Sequence, residues 1–98
     1  MSFRLLFTEQ ARADYQELRE QADRTKQFKA VQKTLALLEK NPRHPSLQTH
    51  EFTSLTRTLG IKVFEAYAEN RTPAAYRVFW SYGPGKGVIS IIALTPHP

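Results

Sequence analysis

A chain of 98 residues that is 41% apolar is read as one domain with a real but not generous core. With 14 Lys and Arg against 9 Asp and Glu, the net charge of +5 favours polyanionic or acidic partners and says nothing about fold. The absence of cysteine excludes a disulfide framework, a thiol nucleophile and a thiolate metal site together. The opening MSFRLLFTEQ holds only a short apolar stretch, broken by Arg4 and followed by charge. That is neither a signal peptide nor a membrane span, and a cytoplasmic protein is expected.

Residues 3–7 (FRLLF) are short, apolar and aromatic-rich, which suits a strand. Thr8 is placed to cap a helix, with Glu9 in the first turn where a carboxylate complements the helix dipole. Ala11, Tyr15, Leu18 and Ala22 then recur on one face and predict a helix over about 8–22. Asp23 or Thr25 can cap a second helix, whose core stripe is Phe28, Val31, Leu35 and Leu38. It ends near Lys40, because Pro42 disfavours helical geometry at Asn41. Two helices joined by so short a turn are antiparallel neighbours. Residues 41–58, with two prolines and many small polar side chains, read as an irregular connection tacked to the core by Leu47 and Leu55. After Gly60 the period becomes two: 61–68 and 75–82 are predicted strands, joined by a loop containing Asn70 and Pro73. A third strand, 88–94 (VISIIAL), follows the GPGKG turn and is apolar on both faces, as a covered central strand is. The order is β-α-α-β-β-β, an α+β domain.

Few side chains stand out for chemistry. Lys26, Lys29, Lys33 and Lys40 form a stripe opposite the core face of the second helix. Most such stripes are solvated faces, but this one holds almost no acid and suits phosphate contact without sequence readout. Alternation puts Phe64 and Ala66 on the core side of their strand, leaving Glu65 and Tyr67 on an exposed or cleft-lining face. In AYRVFWSY, Arg77, Phe79 and Ser81 share a face. A mid-strand Arg needs an acid partner or a bound anion, so a structural pair with Glu65 and a phosphate site both remain open. Phe79 beside Arg77 would suit a nucleobase next to a phosphate, and Trp80 belongs to the core. His97 lies at the exit of the last strand, and His44 and His50 read as loop residues. Three histidines without metal-ligand spacing make no case for a metal, and no cofactor is implied.

A short strand, two helices, NPRHPSL, a Gly-led strand, YRVFW and a last strand ending in TPHP together resemble the RelE/ParE superfamily of bacterial toxin–antitoxin toxins. The resemblance covers essentially the whole chain, and its most specific pieces are LEKNPRHPSLQTH, the Arg of YRVFW and ALTPHP. It implies an antiparallel helical hairpin packed on a mostly antiparallel four-stranded sheet. RelE-type members are ribosome-dependent, metal-free endoribonucleases that cut mRNA in the ribosomal A site. By that resemblance Arg77 corresponds to the arginine that clamps the scissile phosphate, and His97 to a C-terminal histidine used as general acid or base. Glu65 and Tyr67 fall, by strand face rather than identity, where relatives place basic or acidic catalytic side chains, with Glu65 as base and His97 as acid or the two exchanged, and Tyr67 orienting the ribose or phosphate. The lysine stripe would grip ribosomal RNA. The implied partners are the ribosome, mRNA and a cognate antitoxin with an acidic or amphipathic segment. The alternatives on the same scaffold are a ParE-like inhibitor of DNA gyrase and a catalytically inactive, antitoxin-binding homologue.

Overall fold

The computed structural model describes residues 2–69 and 75–96, and the elements follow from the local chemistry of the chain. Strand β1 (Arg4–Phe7) runs into helix α1 (Glu9–Glu20) through Thr8, whose Oγ1 accepts from the Ala11 N–H at 3.0 Å. A short 3-10 turn over Ala22–Arg24 leads to α2 (Thr25–Lys40), which stops where Asn41 turns extended ahead of Pro42. Ala11, Leu18, Val31, Leu35 and Leu38 are the buried side of this hairpin.

The predicted irregular connection is more ordered than its composition suggests. It contains a 3-10 turn (Pro45–Leu47), a two-residue strand β2 (His50–Glu51) and a helix α3 (Thr53–Leu59) closed by Gly60 at φ 72°. Leu47 is buried and Leu55 half-buried, so both tack this segment down. The chain then folds back on α3: the Val63 N–H donates to Thr56 Oγ1 at 2.9 Å, and the Val63 carbonyl accepts from the Phe52 N–H at 2.8 Å. Strands β3 (Phe64–Tyr67), β4 (Tyr76–Tyr82) and β5 (Val88–Pro96) follow. The loop expected around Asn70 and Pro73 lies outside the described residues.

The sheet order is β1-β5-β4-β3-β2, with β1 parallel to β5 and every other pair antiparallel. The expected four-stranded sheet therefore gains β2 at one edge, while β1 forms the other. Register puts Phe64, Ala66, Tyr76, Val78, Trp80, Ile89, Ile91 and Leu94 on the face beneath α1 and α2, where they close the core with the helices' buried side chains. Trp80 is 1% exposed, a core residue as its alternation predicted. Opposite Phe79 and Trp80 the β5 register slips by one residue, a bulge at Ile92. Helix α1 satisfies the backbone there: Thr8 Oγ1 donates to the Ile92 carbonyl at 2.8 Å, and Asp14 Oδ2 accepts from the Leu94 N–H at 2.9 Å. The second face of the sheet is only partly covered, by α3. Among the described residues no helix is long and apolar enough to cross a membrane.

Candidate functional site

On that second face, one residue from each of β2, β3 and β4 meets around a buried carboxylate. Antiparallel pairing sets His50 against Glu65 and Tyr67 against Arg77. Glu65 Oε2 accepts from Arg77 Nη1 at 2.7 Å, and Glu65 Oε1 lies 2.7 Å from His50 Nε2. The glutamate side chain is 3% exposed, against 16% for Arg77 and 49% for His50. A carboxylate this deep is tolerated because both its oxygens have cationic or hydrogen-bonding partners.

Aromatic side chains make the floor of the site. The Arg77 guanidinium lies 4.9 Å from the Phe79 ring centroid and 5.8 Å from that of Phe52, within cation–π range of both. Phe52, at the N-cap of α3, packs edge-on against Phe79 at 4.9 Å. Arg77 Nε is buried without a hydrogen-bond partner among the described residues, consistent with its place against these rings. The His50 ring sits 5.6 Å from that of Tyr67. Burial, then the charge of Glu65 and a hydrogen bond to it, push the Tyr67 hydroxyl above its ordinary value, with Arg77 opposing. Tyr67 is therefore a proton-bearing donor at neutral pH.

Glu65, Tyr67 and Arg77 thus lie together, but three sequence expectations need correction. Glu65 is enclosed rather than exposed. Phe79 is 4% exposed, covered by Phe52 and Arg77, and offers no open surface on which a base could stack. His50 is a strand residue inside the cluster rather than a bystander in a loop. Its signal was hidden because β2 is only two residues long and sits in a stretch of small polar residues. Lys26, Lys29, Lys33 and Lys40 are all exposed on α2, across the sheet from this cluster. His97 lies outside the described residues.

Beside the cluster, a groove of about 640 Å³ runs between α3 and the ends of β4 and β5. Leu55, Leu59, Ile61, Tyr82 and Ile92 are among its walls, and Leu59, Ile61 and Tyr82 are 46%, 50% and 51% exposed. Among the described residues its walls carry no charge.

No protein-family profile matches the chain, and no curated protein matches it by sequence. Solved structures do. A YoeB/ParE toxin from Agrobacterium tumefaciens superposes over 97% of this chain and 99% of its own, with TM-score 0.71 at 9% identity. The archaeal RelE of a RelE–RelB complex from Pyrococcus horikoshii OT3 superposes over 98% and 96%, with TM-score 0.65 at 18% identity. The YoeB of a Staphylococcus aureus dimer covers both chains in full, with TM-score 0.66 at 14% identity. Helical hairpin and sheet together give this chain the fold of these YoeB/ParE and RelE structures.

Proposed function

We propose that the chain is the toxin of a toxin–antitoxin pair and acts as a ribosome-dependent endoribonuclease on mRNA. The observation that carries this reading is Arg77. Its guanidinium is held against aromatic rings and anchored by a buried carboxylate, on the same open face as a hydroxyl and an imidazole. RNA cleavage by its own 2′-hydroxyl asks for that combination. The 2′-oxygen attacks the adjacent phosphorus, the P–O5′ bond breaks, and the products are a 2′,3′-cyclic phosphate and a 5′-hydroxyl. Charge builds on the phosphoryl oxygens as this happens, and a planar guanidinium is suited to neutralise it. Glu65 occupies one of its five donors in the described contacts. Tyr67 supplies a neutral O–H that can orient the ribose or phosphate. His97 remains a candidate acid or base on the resemblance alone.

A gyrase inhibitor on this scaffold would need a shape to dock, and has no use for an anchored cation beside titratable groups. The partner expected with the nuclease reading is an antitoxin with an acidic or amphipathic segment. An apolar helix face fits the groove beside α3, and its acids fit a surface of net charge +5.

The test is translation in vitro with purified protein and mapping of mRNA 5′ ends. Arg77→Ala strips the main counter-charge from buried Glu65 and is expected to cost about 3 kcal/mol of stability, the low end for breaking a buried pair, since His50 remains. Arg77→Lys, which keeps the charge and loses the planar fork, is therefore run beside it. Cleavage at A-site codons by wild type, absent without ribosomes and reduced at least about 100-fold in both folded variants, supports the nuclease. Intact mRNA with wild type overturns it, and inhibited DNA supercoiling would then identify the gyrase inhibitor.

A further inference from the structure

We infer that His50 is the proton-donating residue of this site, and that Glu65 is its positioning residue rather than the base. This rests on the nuclease reading and assigns roles that neither the fold nor the resemblance supplies.

Each Glu65 oxygen already has a cationic or hydrogen-bonding neighbour and the side chain is 3% exposed, so an incoming 2′-hydroxyl has no open path to it. His50 is the reverse case: it is 49% exposed at the mouth of the cluster and the neutral tautomers leave it a choice. Its two ring nitrogens each face an oxygen. Nε2 faces Glu65 Oε1 at 2.7 Å and Nδ1 faces the Gln48 carbonyl oxygen at 3.2 Å. Both neighbours are acceptors, and only the doubly protonated ring donates to both. Pairing within the sheet holds the ring in place through the His50–Glu65 register. Among the described residues, the charged and titratable groups facing it are Glu65 and Tyr67 from β3, with Arg77 from β4 behind Glu65. With His50 protonated the cluster carries two cations around one anion, a net positive site for a phosphodiester.

In the step, the 2′-oxygen–phosphorus bond forms and the P–O5′ bond breaks. The 2′-hydroxyl proton passes to solvent water, His50 gives its Nδ1 proton to the leaving 5′-oxygen in exchange for the longer, 3.2 Å contact with the Gln48 carbonyl, and solvent reprotonates the ring. Arg77 balances the charge on the phosphoryl oxygens throughout.

The test is single-turnover cleavage of ribosome-bound mRNA from pH 5.5 to 8.5 by wild type, His50→Gln and Glu65→Gln, with imidazole nitrogen NMR of the free proteins. Wild type should show a bend within the range where histidine changes charge, about pH 5 to 8. His50→Gln, a surface change, should lose that bend and about 100-fold or more in rate at neutral pH. Glu65→Gln should keep a bend but lose rate, with the His50 Nε2 signal displaced because an amide has replaced its carboxylate acceptor. His50→Gln cleaving at the wild-type rate with the same bend overturns the assignment while leaving the nuclease intact. So does a Glu65→Gln enzyme whose rate and His50 Nε2 signal stay where they were. A wild type that cuts nothing on the ribosome, with its fold intact, overturns the nuclease and this role with it.

Discussion

At the scale of single residues, Tyr67 makes the electrostatics of the cluster measurable without any substrate. Its hydroxyl is raised above the ordinary 10.0, first by burial and then by Glu65, so the folded state holds this proton more tightly than the unfolded chain does. A group raised in this way contributes stability that is complete below the unfolded value and is lost as pH rises through the folded one. Unfolding free energy from urea titration should therefore differ between wild type and Tyr67→Phe by a constant amount from pH 7 to about 9.5. Above about pH 10 the wild type should fall more steeply than the variant, since phenylalanine has no proton to lose. Parallel curves through pH 11 would mean that neither burial nor Glu65 holds the hydroxyl proton in the folded state. The same residue scale explains what was legible in the site. Arg77 stood out because a charge inside an apolar strand demands a partner, and Glu65 was named as one. That Glu65 is enclosed, and that His50 closes it, depends on which strand pairs with β3 at the edge. A period of two within each strand is silent on that question.

Among the elements, the β5 bulge shows how helix and sheet are fitted to each other. The extra residue at Ile92 takes the Leu94 N–H and the Ile92 carbonyl out of regular pairing, and Asp14 and Thr8 meet them. Asp14 is itself held by Gln10, whose Nε2 donates to Asp14 Oδ1 at 2.7 Å. Asp14→Ala leaves a half-buried N–H unpaired and should cost about 1–3 kcal/mol in urea unfolding, whereas Asp14→Asn keeps an acceptor and should cost less. Equal losses in the two variants would show that the acceptor at the bulge is not what matters. Neither role of Asp14 was visible in the sequence, because a bulge carries no signature in VISIIAL. The helices and long strands were legible because each has a continuous apolar stripe of one period: α2 ends at Lys40 as Pro42 requires. Helix α3 was missed for the opposite reason. TSLTRTL is rich in Ser and Thr, which favour caps and turns over helix interiors. Its only marks were Leu55 and Leu59 four apart, and Gly60 in the left-handed conformation that closes it. The parallel pairing of β1 with β5 was equally hidden, since it joins residues more than eighty apart in the chain.

Across the whole molecule, charge and chemistry are divided between two sides of one sheet. The cluster of His50, Glu65 and Arg77 faces away from the helices, and the lysines of α2 lie on the outer surface of those helices. A single strand of RNA bound at the cluster does not also lie along the lysines, because helix layer and sheet separate them. On the nuclease reading proposed above, the two surfaces would meet different parts of a larger polyanion, structured RNA behind and an extended strand in front. Counterion release gives this arrangement a number. Each phosphate neutralised contributes roughly 0.7 to 0.9 to the slope of log affinity against log salt. Substituting Lys29 and Lys33 together by Gln should then lower the magnitude of the slope for ribosome binding by roughly 1 to 2, measured between about 50 and 200 mM salt. An unchanged slope would return the stripe to the status of a solvated face. In that case the net charge of +5 would have to act through other basic side chains, of which Arg43, Arg57 and Lys62 are exposed along the connection that carries His50 into the site.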